Sequence, residues 1–231
     1  MSGARHSFQE VIPGLFIGSQ FSLSLIKHIK AAGITQLLSV NNFKDMPSGF
    51  TTKTLNVEDE TDEDISIFFE ECIEFIKSGS TLVFCTAGRS RSATIVAAYL
   101  IKEKKMRLKD ALSTINQVRK VNPNPGFLKQ LKNWDNKLHC ELCRLEKISE
   151  WFFDCDDFAV MICDQCELPM AVYKKHTNFA KESHRKEIKS KLSQVANQYF
   201  KNQHWKIDYN QRTIKDHLHW HARPMLIVPK L

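Results

Sequence analysis

Five residues separate Cys85 from Arg91 in the segment Val83-Phe84-Cys85-Thr86-Ala87-Gly88-Arg89-Ser90-Arg91-Ser92. An apolar run precedes the segment and a helical pattern follows it. It therefore reads as a strand-to-helix turn, where backbone amides converge on an anion at a helix N-terminus. Thr86, Ala87, Gly88, Arg89 and Ser90 would form the bend, and Gly88 permits a tight backbone. Arg91 offers a planar, two-pronged donor to phosphate oxygens. The positive loop favours an anionic sulfur at Cys85, which is the nucleophilic form. Ser92, at the helix start, would cap the helix and donate to the sulfur when it departs. Such a sulfur attacks a phosphomonoester to give a phosphocysteine that water then hydrolyses, while an acid protonates the leaving oxygen. The acidic stretch 58–64 supplies that acid. Asp59 is the candidate, because it closely follows an expected strand at 54–57, whereas Asp62 and Asp64 read as caps of a helix beginning near Ile65.

A second set of reactive residues lies further on. Cys140-x2-Cys143 and Cys163-x2-Cys166 have 19 residues between them, a spacing suited to a structural zinc held by four sulfurs. Cys72 and Cys155 read as small packed hydrophobes. In His217-Leu218-His219-Trp220-His221 the alternation of a strand would turn all three imidazoles to one side. Three imidazoles together imply metal binding or chemistry.

Apolar strands and helical patterns alternate from Val11 to about His139. Strands are expected at 15–17, 36–40, 54–57 and 81–84, and helices at 23–32, 65–77, 92–103, 108–120 and 127–138. The break at Asn122-Pro123-Asn124-Pro125-Gly126 separates the last two helices. This is an α/β pattern, a sheet flanked by helices over residues 1–139. Residues 140–231 change texture. Strand-like runs at 150–153, 158–162 and 170–173 lead to one long helix, 181–200, and two more runs at 205–209 and 217–228. Ile188, Leu192, Val195 and Tyr199 share a face of that helix. The expectation is a smaller α+β domain containing zinc.

The first domain resembles a dual-specificity protein phosphatase over nearly all of residues 11–138. The motifs occur in order: Ile12-Pro13-Gly14-Leu15-Phe16-Ile17-Gly18-Ser19, Gly33-Ile34-Thr35, Asp59, Cys85-x5-Arg91-Ser92-Ala93-Thr94, and Asn124-Pro125-Gly126-Phe127 with Gln130-Leu131. The resemblance implies dephosphorylation of phosphotyrosine and phosphoserine or phosphothreonine in proteins, with no cofactor for the phosphatase step. Phe84 departs from the family, which usually has histidine before the cysteine. The other readings are a phosphatase of RNA ends or nucleotides and a non-catalytic reader of phosphoproteins. The histidine stretch resembles the histidine-triad nucleotide hydrolases and transferases. That resemblance gives His219 the nucleophilic role, flanked by His217 and His221, and makes His176 and His217 rival zinc ligands to Cys163 and Cys166.

With 42% hydrophobic and 26% charged residues, the 231-residue chain has the balance of a globular protein rather than a disordered or fibrous one. Residues 1–10 lack the pattern of a secretory signal, and no apolar run approaches the roughly 20 residues of a membrane span. The seven cysteines are then expected in a reducing compartment, the cytoplasm with the nucleus left open. A net charge of +7 favours anionic partners. The lysines are scattered through helical stretches, which is usual for solvated faces.

Overall fold

The structure, a computed structural model, describes residues 7–145 and 149–225. The start of the segment read for a signal (residues 1–6) and the end of the last expected strand (226–228) lie outside them. The chain divides into two compact units, residues 1–138 and 139–231.

In the first unit the elements are β1 (Phe8–Ile12), β2 (Leu15–Ser19), α1 (Ile26–Ala31), β3 (Gln36–Ser39), β4 (Thr51–Thr54), α2 (Phe69–Lys77), β5 (Thr81–Cys85), α3 (Arg91–Glu103), α4 (Leu108–Val118) and α5 (Pro125–His139). The sheet order is β1-β2-β5-β3-β4. Strands β2, β5, β3 and β4 run parallel and β1 is antiparallel at the edge. Every residue of β5 and β2 is buried, as expected for strands covered on both faces. Their side chains alternate between two cores. Ile17, Val83 and Cys85 join the cluster built with α2, α3, α4 and α5, while Phe16, Leu82 and Phe84 join Ile29 of α1 and Phe8 on the other side.

Several expected boundaries move. The strand expected at 54–57 is paired at Thr51–Thr54. This exposed edge strand carries Lys53 and three threonines, so it has no apolar run to signal it. Leu55 and Val57 continue inward and are buried. The antiparallel β1 was not expected, since its half-buried alternation is short and polar. The helix expected from Ile65 opens as a 3-10 turn, Ile65–Phe68, with Asp64 accepting from Ser66 N at 3.1 Å. The Asn-Pro break is itself a helix start. Pro125 opens α5 and the Asn124 side chain accepts from Phe127 N at 2.9 Å, so a missing proline donor costs nothing in the first turn.

The second unit contains β6 (Trp151–Asp154), β7 (Phe158–Ile162), β8 (Pro169–Tyr173), α6 (Glu182–Phe200), β9 (Trp205–Asp208) and β10 (His219–Pro224). All strand pairs are antiparallel, in the order β6-β7-β8-β10-β9. Helix α6 covers one face through Ile188, Leu192, Val195, Ala196 and Phe200, against Leu218, Trp220 and Ala222. Tyr199 was expected on that face but is 43% exposed. Its hydroxyl donates to Glu167 O, and Ala196 and Phe200 fill the apolar stripe instead.

Candidate functional site

Strand β5 ends at Cys85 and α3 begins at Arg91, so the intervening loop is closed within five residues. Gly88 sits at φ +69°, and a Cβ there would stand 2.3 Å from the Gly18 carbonyl oxygen. Only glycine fits this close left-handed bend. The bend turns the Gly88 amide inward, 3.3 Å from Cys85 Sγ, and Ser92 Oγ lies 3.3 Å from the same sulfur. Ser92 is therefore not the helix cap expected of it. It lies inside α3, fully buried, facing the sulfur. Ser90 occupies the cap position, and its hydroxyl turns to Asp59.

Arg91 is 9% exposed and its guanidinium is held on two sides. Nη1 donates to Val57 O at 2.9 Å and Nη2 to Thr86 Oγ1 at 3.0 Å. Nε has no hydrogen-bond partner among the described residues. A buried guanidinium N–H left unmatched is costly, and an oxyanion in the loop would match it. Thr86 is steadied by Asn41, whose amide also reaches Gln20.

Asp59 Oδ1 accepts from Ser90 Oγ at 2.6 Å and Asn124 Nδ2 at 2.9 Å, and Oδ2 lies 3.8 Å from Arg91 Nε. The carboxyl thus stands beside the loop while its side chain stays 38% exposed. The segment carrying it is pinned from α5. Asn124 Nδ2 also donates to Glu60 O, Gln130 Nε2 donates to Glu63 O, and Gln130 Oε1 accepts from Ser66 N. A Cβ on Gly126 would stand 2.0 Å from Thr61 O, so glycine there permits backbone to lie on backbone.

Sequence reading did not single out Arg119. Its Nε donates to Gly88 O at 2.7 Å and Nη2 to Ala87 O at 2.9 Å, while Nη1 donates to Gln9 Oε1 and Ser7 O. By taking the loop carbonyls outward, Arg119 leaves the amides to face inward. Burial lowers its pKa, the Cys85 sulfur opposes that shift, and Arg89 adds to it. Phe84, which stands where the resembled family usually has histidine, points away from the loop into the α1-side core and meets Phe43 edge-on at 5.9 Å.

In the second unit the structure does not assemble the four sulfurs expected to share one centre. Cys140, Cys143, His176 and His217 form one group and Cys163, Cys166 and His221 another, the ligand atoms of each lying within 4.8 Å. The register of β8 on β10 explains the division, with His221 opposite Met170 and His219 opposite Val172. His217 and His221 are four residues apart, or roughly 13 Å along an extended chain. One meets the turn containing Cys140 and Cys143, and the other meets the β7–β8 turn containing Cys163 and Cys166. Because Leu218, Trp220 and Ala222 face α6, the three histidines lie on the opposite face of the sheet.

The hydrogen bonds fix the tautomers. His217 Nε2 faces Tyr173 O and His219 Nδ1 faces His217 O at 2.8 Å. A carbonyl only accepts, so those nitrogens carry the hydrogens. The lone pair of His217 Nδ1 is then directed at Cys140 Sγ, 3.3 Å away, and Cys143 Sγ, 3.5 Å away. His176 Nδ1 lies 3.1 Å from Cys143 Sγ, with its Nε2 3.4 Å from the Asp216 carboxylate. Two sulfurs and two imidazoles oriented from behind in this way fit a tetrahedral metal ion. Burial lowers the pKa of His217, partly opposed by the Tyr173 carbonyl. Burial, with Arg223 and His219, lowers that of His221 to about 4. His219 and His221 line a cavity of about 440 Å³ together with Arg212 and Arg223.

Residues 15–137 match the family model for the dual specificity phosphatase catalytic domain. A probable dual specificity protein phosphatase of Dictyostelium discoideum is 38% identical over 132 residues, covering 55% of this chain and 62% of that protein. Dual specificity protein phosphatase 1 of Arabidopsis thaliana is 34% identical over 148 residues, covering 61% and 71%. Human dual specificity protein phosphatase 4 is 37% identical over 150 residues, covering 61% of this chain but 38% of its own length. Among solved structures, a mouse putative dual specificity phosphatase complexed with zinc tungstate gives a TM-score of 0.58 at 30% identity, covering 61% and 94%. Human DUSP28 gives 0.56 at 27%, covering 58% and 96%. The family match leaves residues 139–231 outside it.

Proposed function

Since this chain belongs to the dual specificity phosphatase family, we propose that its first unit hydrolyses phosphotyrosine and phosphoserine or phosphothreonine in proteins through a phosphocysteine. The observation that carries this reading is the convergence of the Gly88 amide and the Ser92 hydroxyl on Cys85 Sγ, within a loop closed by Arg91. The Cys85 thiolate attacks phosphorus, forming the S–P bond as the P–O bond to the substrate breaks. Asp59 gives its proton to the departing oxygen. Water then attacks phosphorus and returns a proton to Asp59, while the sulfur leaves with the bonding pair and the Ser92 hydroxyl donates to it. Arg91 binds the phosphoryl oxygens through Nε and Nη2.

The test is phosphate release by the full chain from a phosphotyrosine peptide, a phosphothreonine peptide, a phosphoinositide and 5'-phosphorylated RNA, with Cys85→Ser as the blank. Release from both peptides that vanishes in Cys85→Ser supports the reading. Preference for the RNA would favour the nucleic-acid reading, and a wild type inert toward all four substrates would leave only a phosphoprotein reader.

The tautomer of His219 favours a second reading, for the second unit. With Nδ1–H held by His217 O, its Nε2 lone pair is available as a nucleophile in a cavity shared with Arg212 and Arg223. We read residues 139–231 as a histidine-triad-like domain. In this reading zinc on Cys140, Cys143, His176 and His217 is structural, and His219 Nε2 attacks the α-phosphate of a nucleotide, forming an N–P bond as the P–O bond to the leaving group breaks, after which water displaces the histidine and releases the nucleoside monophosphate. Dinucleotide cleavage lost in His219→Ala supports it, and activity unchanged by that substitution removes it.

A further inference from the structure

Cys163 and Cys166 of the second unit have no part in either reading, and His221 enters the second only as a flank of His219. Cys163 and Cys166 flank a tight turn between β7 and β8, closed by Cys163 N to Leu168 O at 2.9 Å and Glu167 N to Cys163 O at 2.8 Å. Glu167 turns through φ +56°. The turn brings both thiols into reach of each other and of a ring nitrogen of His221. Neither sulfur is in a disulfide.

We propose that Cys163, Cys166 and His221 hold a second zinc ion, distinct from the one on Cys140, Cys143, His176 and His217, with its fourth position open to the neighbouring cavity. Two thiolates and an imidazole form a soft donor set that selects zinc over magnesium or calcium. Among the described residues no fourth histidine, cysteine or carboxylate joins the group. Three protein ligands are the mark of an open zinc site, whereas structural sites are closed by four. All three ligands line the cavity of about 440 Å³, and Arg212 and Arg223 line it too. Those two arginines are held by Asp208, which accepts from Arg223 Nε at 2.9 Å and Arg212 Nη2 at 3.1 Å. A metal ion and two fixed guanidinium groups facing one space recognise a phosphate oxygen, which completes the tetrahedron. The ladder spacing that separates His217 from His221 prevents one ion from serving both groups.

The full chain is prepared in zinc, dialysed and assayed for metal per chain. Wild type should carry two equivalents and C163S/C166S one, with turnover at Cys85 unchanged. Wild type loaded with cobalt should shift its visible bands on adding inorganic phosphate, because the closed site has no position for it. The proposal is overturned by one equivalent in wild type, by two retained in C163S/C166S, by a Cys163–Cys166 disulfide in the purified chain, or by a cobalt spectrum indifferent to phosphate. Should C163S/C166S fail to fold, the stoichiometry and cobalt spectrum of wild type decide alone.

Discussion

The guanidinium of Arg119 shapes the thiol loop from behind without touching the sulfur. It acts through the Ala87 and Gly88 carbonyls, which it takes outward. Arg119→Ala should therefore lower kcat toward a phosphopeptide by about 100-fold, the usual cost of misplacing a reacting group by an ångström. The circular-dichroism spectrum should be retained, and full turnover in that variant would remove the role. Cys72, on α2, is a thiol packed in the core away from that loop. Burial, with Glu71 adding and Lys53 opposing, pushes it up to about 12. Its folded pKa lies above the unfolded value of about 8.5, so its contribution to stability is complete below that pH and is lost as pH rises toward 12. Iodoacetamide at pH 8 should spare Cys72 in the folded chain, and Cys72→Ala should flatten the loss of stability between pH 9 and 12. Labelling of Cys72 under native conditions would contradict its burial. The sequence distinguishes these residues unequally. Cys85 and Arg91 declare themselves by a local spacing, whereas Arg119 makes its contacts 31 and 32 residues away and shows only as a cation after a helix.

At the scale of elements, the acid is positioned by helix α5 rather than by the strand before it. β4 ends at Thr54, and the exposed segment 58–64 has little structure of its own. It is held through Asn124, Gln130 and the backbone contact at Gly126. Gly126→Ala inserts a methyl group where Thr61 O already lies. Asp59 should be displaced, and kcat should fall by about 10- to 100-fold on phosphopeptides, whose leaving oxygen needs a proton. Aryl phosphates with an acidic leaving group should lose much less. Equal losses on both substrates would show that the substitution damages the loop instead. The sequence marks Asn124-Pro125-Gly126 only as an interruption. Its second role depends on a chain segment about 65 residues earlier, which no local periodicity reveals.

Taken whole, the molecule joins two sheets of different logic. The alternation of strand and helix in residues 7–138 was legible because buried parallel strands are continuously apolar. The order β1-β2-β5-β3-β4 was not, since the edges β1 and β4 carry polar residues. In residues 139–231 the cysteine pairs and histidines stood out by spacing, but their grouping follows from strand register, which spacing does not encode. The metal groups lie outside the first unit. Chelation by 1,10-phenanthroline should therefore lower the unfolding temperature of the second unit and leave peptide turnover at Cys85 unaltered. Turnover abolished by chelation and restored by zinc would contradict that separation.

β1 adds a consequence of its own. The Ser7 carbonyl receives Ser19 N, Ser22 Oγ and Arg119 Nη1, and Gln9 Oε1 receives the same guanidinium. The edge ribbon thereby braces the far wall of the anion cradle through a single cation. A protease that clips the chain ahead of Ile12 would disarm the nucleophile at a distance, without removing any group that meets the substrate.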